Sequence, residues 1–75
     1  MKRWNTRIDG GTVDPEMEAP RVDRFLTEIA SVCRRYGLAI SHEDCHGGFI
    51  VKEFNEDTLH WLLNADIDLD PGELT

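Results

Sequence analysis

The segment Ser41-His42-Glu43-Asp44-Cys45-His46-Gly47-Gly48 contains more chemically active side chains than a connecting turn requires. Two imidazoles, two carboxylates and one thiol stand there in consecutive positions, with apolar runs on both sides. Imidazole and thiolate are the ligands that zinc prefers in proteins. One hypothesis is therefore a metal site made by Cys33, His42, Cys45 and His46. The chain has no C-x2-C pair, however, so the usual zinc patterns do not favour this site.

The same segment invites two catalytic interpretations. Glu43 or Asp44 could exchange a proton with His46, and the Cys45 thiol could act as a nucleophile. Both reactions need a pocket, and a chain of 75 residues encloses little volume. Cys45 and His46 are also adjacent, and adjacent side chains of an extended backbone point in opposite directions. We therefore expect neither enzymatic activity nor a bound cofactor.

Negative charge is concentrated in the second half of the chain. Residues 1–40 carry seven Lys and Arg against six Asp and Glu, whereas residues 41–75 carry one Lys against nine Asp and Glu. The two parts have net charges of +1 and −8, and the whole chain has −7. Negative charge repels phosphate backbones, so we expect a protein partner with a basic surface and no direct binding of nucleic acid. Acidity that serves solubility alone is the open alternative.

The candidate interface lies in this acidic half. It combines carboxylates of the reactive segment and of a later helix with one tryptophan, because an exposed Trp beside acidic residues is a typical interface anchor. The candidate interface residues are Glu43, Asp44, His46, Glu53, Glu56, Asp57 and Trp61.

A first helix is predicted over residues 20–36. Pro20 suits the first helical position, where a missing N–H is tolerated. Arg34 and Arg35 complement the dipole of the last turn, and Gly37 supplies the left-handed residue that ends the helix. Apolar residues at helical spacing form one stripe. The stripe consists of Val22, Phe25, Leu26, Ile29, Val32, Cys33 and Tyr36.

Two strands of a hairpin are predicted over residues 38–42 and 48–54. The second of these contains the β-branched and aromatic residues that strands prefer, and Gly47 and Gly48 permit the positive φ that a tight connection needs. Apolar side chains occur on both faces of the second strand. One face should therefore meet the first helix, and the other needs a cover from the second helix, the N-terminal segment or a second subunit.

A second helix is predicted over residues 55–65. Asn55 is a suitable N-cap, and Glu56 and Asp57 lie where the helix dipole favours negative charge. Beyond it, residues 66–75 form an acidic tail that we expect to fray.

These elements predict a small single α+β domain of α-β-β-α order, in which a β-hairpin packs against two helices. The predicted organisation is an N-terminal arm or short strand over residues 1–19, the α-β-β-α core over 20–65, and the acidic tail over 66–75. A two-stranded sheet is only marginally stable alone. A third, N-terminal strand within residues 3–8, or a homodimer, would complete it.

Composition indicates a cytoplasmic protein that makes no membrane contact. No apolar run approaches the ~20 residues of a membrane span. Lys2 and Arg3 are not followed by the apolar stretch of a signal peptide. Two cysteines also fall short of the density that characterises secreted disulfide scaffolds.

The middle of the chain carries a resemblance to a protein family. Its residues read FLTEI, then CRRYGLAISHED, then HGGFIV after Cys45. This resembles an uncharacterised family of small phage- and prophage-encoded proteins, whose core reads roughly CRKHGLSISHED-x-HGAFIV and is followed by an acidic helix. The resemblance covers about residues 24–64, with Cys45 at the variable position. It implies an accessory protein of a phage or mobile element, and such proteins often act by binding and disabling or redirecting a host component.

The resulting prediction is a phage-type accessory protein that binds a host or phage protein through its acidic surface. Inhibition of a host nucleic-acid-handling or defence complex, as anti-CRISPR proteins do, is its sharpest form. Two alternatives stay open: a small metal-binding protein that uses the loop from His42 to His46, and a structural or assembly component of the virion.

Overall fold

The computed structural model describes residues 1–8, 11 and 13–75. Within these residues it contains two α-helices and two antiparallel two-stranded sheets, and it confirms the predicted α+β class with a hairpin packed on helices. None of the described helices is long and apolar enough to cross a membrane. The elements in chain order are β1 (Lys2–Trp4), β2 (Glu16–Glu18), α1 (Pro20–Tyr36), β3 (Leu38–His42), β4 (Phe49–Glu53), α2 (Glu56–Leu63) and a short 3-10 helix (Pro71–Glu73).

Helix α1 has the predicted bounds and the predicted end. Gly37 adopts the left-handed conformation, with φ 68° and ψ 29°, and its N–H donates to the carbonyl of Cys33. Cys33 is buried in a small core with Ala30 and Leu59. The apolar stripe of α1 is covered only in part, because 61% of Phe25 and 68% of Tyr36 are exposed.

The hairpin follows directly from α1. Strands β3 and β4 are antiparallel, with Leu38 opposite Glu53 and His42 opposite Phe49. Both helices pack against β3, whereas neither packs against β4. The cover that the sequence requires for the second strand is therefore not supplied by the described part of the chain.

Helix α2 spans 56–63, three residues shorter than the predicted 55–65. Asn55 is its N-cap, as predicted, and its side-chain oxygen accepts from the N–H groups of Asp57 and Thr58 at 2.8 and 3.2 Å. At the other end, Asn64 closes the helix through its backbone N–H, which donates to the carbonyl of His60 at 3.1 Å. Leu59 is the buried residue of α2.

The N-terminal segment forms its own sheet. Strand β1 pairs with β2, so that Arg3 stands opposite Met17, and it does not join the hairpin as a third strand. The predicted strand over residues 3–8 is shifted toward the N-terminus in the structure. Residues 9, 10 and 12 of the predicted arm lie outside the described residues.

The expectation of a frayed acidic tail is wrong. Ile67 forms a parallel bridge with Asn5, and the backbone N–H of Ile67 donates to the carbonyl of Trp4 at 2.9 Å. Ile67 and Leu74 are buried together with Ala19 in a second small core. The apolar residues spaced between the aspartates therefore hold the tail against β1 and the start of α1, because their burial offsets the entropy of ordering it.

Arg3 joins the N-terminal sheet to both helices. Its guanidinium is almost fully buried, and it contacts a carboxylate oxygen of Asp23 in α1 through Nε at 3.0 Å and Nη2 at 2.8 Å. Nη1 donates to the carbonyls of Leu63 and Ala65 at 2.7 and 2.9 Å. The amino terminus also bonds Asp23, and together with Arg3 it holds the pKa of that carboxyl below its ordinary value.

Asn5 performs a similar task for the tail. It is fully buried, and its amide nitrogen donates to the carbonyl of Leu69 at 2.7 Å while its oxygen accepts from the N–H of Leu69 at 3.3 Å. These bonds replace the hydrogen bonds to water that the amide loses when it is buried.

Candidate functional site

An open hollow of about 330 Å3 lies between the hairpin loop and α2, on the acidic half of the molecule. We call it the acidic hollow. It is lined by Ser41, His42, Asp44, Asp57, Thr58 and Trp61. Three of the predicted interface residues, Asp44, Asp57 and Trp61, therefore lie around one concave surface although they come from two different elements.

His42 and Asp44 form the loop side of the acidic hollow. His42 Nδ1 lies 3.2 Å from a carboxylate oxygen of Asp44, and 95% of the Asp44 side chain is exposed. The imidazole also faces the indole of Trp61, with ring centroids 6.3 Å apart and planes inclined by 35°. Trp61 is half exposed, which leaves part of its ring available to a partner.

Asp57 and Thr58 form the helical side. Their backbone N–H groups are bound by the N-cap Asn55, which fixes the first turn of α2 and the direction of both side chains. Trp61 is a neighbour of both on the helix surface, because it lies four residues after Asp57 and three residues after Thr58. Sequence reasoning missed Ser41 and Thr58, and this helical spacing is the signal that could have indicated Thr58.

Glu43 has a structural task in the loop. Its two carboxylate oxygens accept from the backbone N–H groups of Cys45 at 2.9 Å and His46 at 2.6 Å. These bonds lower the pKa of Glu43 from its ordinary value. Gly47 completes the turn with φ 69°, and its N–H donates to the carbonyl of Glu43. The side chain of Glu43 is thus engaged in holding the loop.

The remaining predicted interface residues do not line the acidic hollow. His46 is exposed in the loop, and Glu53 stands at the far end of the hairpin, opposite Leu38. Glu56 is exposed at the start of α2, where its carboxylate lies 3.8 Å from Arg34. The candidate interface therefore divides into the acidic hollow and separate residues in the loop, at the far end of the hairpin and at the start of α2.

The alternative metal ligands are not brought together. Cys33 is buried in the core beneath α1, whereas Cys45 is exposed in the loop. His42 is directed to Asp44 and Trp61. Across residues 1–8, 11 and 13–75, no group of three or more His, Cys, Asp or Glu side chains is arranged to hold a metal ion.

No protein-family model, curated protein or solved structure matches this chain significantly. The resemblance to phage proteins therefore stays a prediction.

Proposed function

We propose that this chain is a non-enzymatic accessory protein of phage type that binds a basic protein surface through the acidic hollow. The observation that supports this most strongly is the convergence of Asp44, Asp57 and the half-exposed Trp61 on one concave surface. The chain carries −8 over residues 41–75, so the field around the acidic hollow attracts cations.

The expected occupant is an arginine or lysine side chain of the partner. A guanidinium can bond a carboxylate through two parallel hydrogen bonds, and it can stack on an aromatic face such as that of Trp61. Among the described residues, the side chain of Asp57 has no salt bridge, and the Asp44 carboxylate has His42 as its one ion-pair or hydrogen-bond partner. Both carboxylates are therefore available to a cation from outside.

The resemblance to phage proteins indicates the kind of partner. Host complexes that handle nucleic acid present basic surfaces to phosphate groups, and an acidic protein can occupy such a surface in place of the nucleic acid. We place the action of this protein in the host cytoplasm, as an inhibitor of such a complex, a defence complex above all. The lining of the acidic hollow favours binding over catalysis, because the Cys45 thiol lies outside it.

Capture of a partner from host lysate, identified by mass spectrometry, is the first step of the test. The association rate is then measured against salt for the wild type and for Asp44→Lys/Asp57→Lys. We expect the double reversal to slow association several-fold and to flatten the salt dependence, since steering between exposed charges is screened by ions.

Glu16→Lys/Glu28→Lys is the matched control, because both residues are exposed and lie outside the acidic hollow. It makes the same change in net charge, and we expect a much smaller effect on association. A partner that associates at the same rate with both variants and at all salt concentrations would contradict the proposal.

A further inference from the structure

The outer edge of β4 presents unpaired backbone groups. Gly48 and Phe54 bond the neighbouring strand through their backbone, since Gly48 O accepts from Glu43 N and Phe54 N donates to Gly37 O. Hydrogen-bonding direction alternates along an antiparallel strand. Phe49, Val51 and Glu53 therefore direct their N–H and C=O groups away from the hairpin, where no described element packs.

The side chains of this strand are exposed as well. Phe49 is 79% exposed, Val51 69% and Ile50 42%. Natural edge strands are usually protected by charges, prolines or bulges, and here the charges of Lys52 and Glu53 stand at one end alone. The apolar end of β4 is thus an uncovered strand edge within a sheet of two strands, which is marginally stable by itself.

We propose that two copies of this chain associate through β4, antiparallel about a two-fold axis, and form one four-stranded sheet. This interface goes beyond the proposed function and does not depend on it. A pairing centred on Ile50 places Phe49 opposite the partner's Val51 and Ile50 opposite the partner's Ile50. Aromatic and β-branched residues opposite each other are the favourable cross-strand pairs of a sheet.

The same register brings the positive charge of Lys52 close to the acidic loop of the partner. Lys52 stands opposite the partner's Gly48, which has no side chain, and the next residue across the partner's hairpin is its Glu43. Lys52 is the single cation in residues 41–75. Its side chain can therefore extend over the glycine toward the acidic loop of the partner and reduce the repulsion between two negative chains.

The exposed apolar surface is large enough for a dimer of this kind. A groove of about 220 Å3 adjoins β4 between α1 and the hairpin and includes Tyr36, Leu38 and Val51. With whole apolar side chains exposing on the order of 150–200 Å2 each, the exposed fractions around β4 and this groove amount to roughly 600 Å2 per copy. Two copies together reach about 1,200 Å2, the lower end of specific interfaces.

Sedimentation equilibrium tests the association at roughly 100 µM, above the micromolar Kd expected for an interface of this size. We expect the wild type to have twice the 8.6 kDa mass of one chain. Phe49→Glu should give the mass of one chain with an unchanged circular dichroism spectrum. Phe25→Glu is the matched control, because Phe25 is similarly exposed on α1 and lies outside this groove, and it should remain dimeric.

Cross-linking tests the register in a Cys45→Ser background. Ile50 and the partner's Ile50 would form a non-hydrogen-bonded pair, whose Cα separation of about 4.5 Å suits a disulfide. With oxidised glutathione, Ile50→Cys should form a covalent dimer, and Lys52→Cys should not. A monomeric wild type would overturn the proposal, whether or not the edge binds a strand of another protein. So would a dimer that survives Phe49→Glu, or equal cross-linking at both positions.

Discussion

Replacement of Arg3 by methionine should destabilise this protein strongly, although Arg3 lies outside every predicted site. The methionine keeps most of the apolar stem of the side chain and removes the guanidinium. Asp23 then loses its contacts at 2.8 and 3.0 Å, and the carbonyls of Leu63 and Ala65 lose their donor. The N-terminal sheet, α1 and the end of α2 thereby lose the contacts that Arg3 makes between them.

The magnitude follows from the groups that stay behind. The loss of a hydrogen bond from a charged donor to a carbonyl costs about 1.5–3 kcal/mol. Leu63 and Ala65 are half-buried, so water can bind their carbonyls in part, and the two lost bonds together cost about 3 kcal/mol. Asp23 keeps its ion pair with the amino terminus, and its side chain is 30% exposed. The loss of its ion pair with Arg3 therefore adds no more than about 1 kcal/mol. The sum of about 3–4 kcal/mol compares with about 4–11 kcal/mol expected for the whole 75-residue chain.

Urea denaturation followed by tryptophan fluorescence and circular dichroism measures the change. With a slope of about 1 kcal/mol per molar urea, the midpoint should fall by roughly 3 M. Arg7→Met is the matched control, since it removes an exposed ion pair with Asp68 at 2.9 Å and should cost at most about 1 kcal/mol. Equal midpoints for Arg3→Met and Arg7→Met would refute the argument that burial makes the contacts of Arg3 decisive.

Two further predictions concern the hairpin. Gly37→Val should lower the free energy of unfolding by more than ~1 kcal/mol, because Gly37 has a positive φ that a β-branched residue adopts only under strain, although the new Cβ itself would meet no neighbour. Gly48→Ala is the control and should have little effect, because Gly48 has no positive φ. Equal melting temperatures of the two variants would contradict this. The second concerns Glu43, whose pKa is lowered in the folded state, so its stabilisation is present above the unfolded pKa and is lost as pH falls through the folded pKa. Glu43→Gln should therefore melt below the wild type at pH 7, and the difference should shrink below about pH 4; a difference that persists in acid would show that the carboxylate charge is not its cause.

Local signals were sufficient to predict the elements of the core. The ends of α1 depend on Pro20 and Gly37, which act through their own backbone preferences. The N-cap of α2 depends on Asn55 and on N–H groups two and three residues away. Such short-range causes can be inferred from the residues alone.

Long-range contacts account for what the sequence did not reveal. Arg3 has its partners 20 to 62 residues away, and arginine is rarely buried without being paired, so its position in the core had no local signal. The tail is rich in aspartate, which masks the buried Ile67 and Leu74. The meeting of Asp44, Asp57 and Trp61 likewise depends on how α2 packs against β3. For Glu43, by contrast, its spacing from the N–H groups of the loop was a local signal.

The placement of the helices explains why association through β4 would stop at two copies. A strand edge that exposes apolar residues can template open-ended assembly, because each added chain presents a new edge. Both helices pack against β3 and neither packs against β4, so the edge of β4 is the one that lacks contact with the helices. An antiparallel contact about a two-fold axis uses the β4 edge of both copies and leaves neither of these edges for a third, which is the closure that isologous interfaces provide. The net charge of −7 per chain opposes less ordered contacts between copies. Closure of the edge and acidity of the surface would therefore both protect a small chain from aggregation, while the acidic hollow, which lies outside β4, stays open to a basic partner.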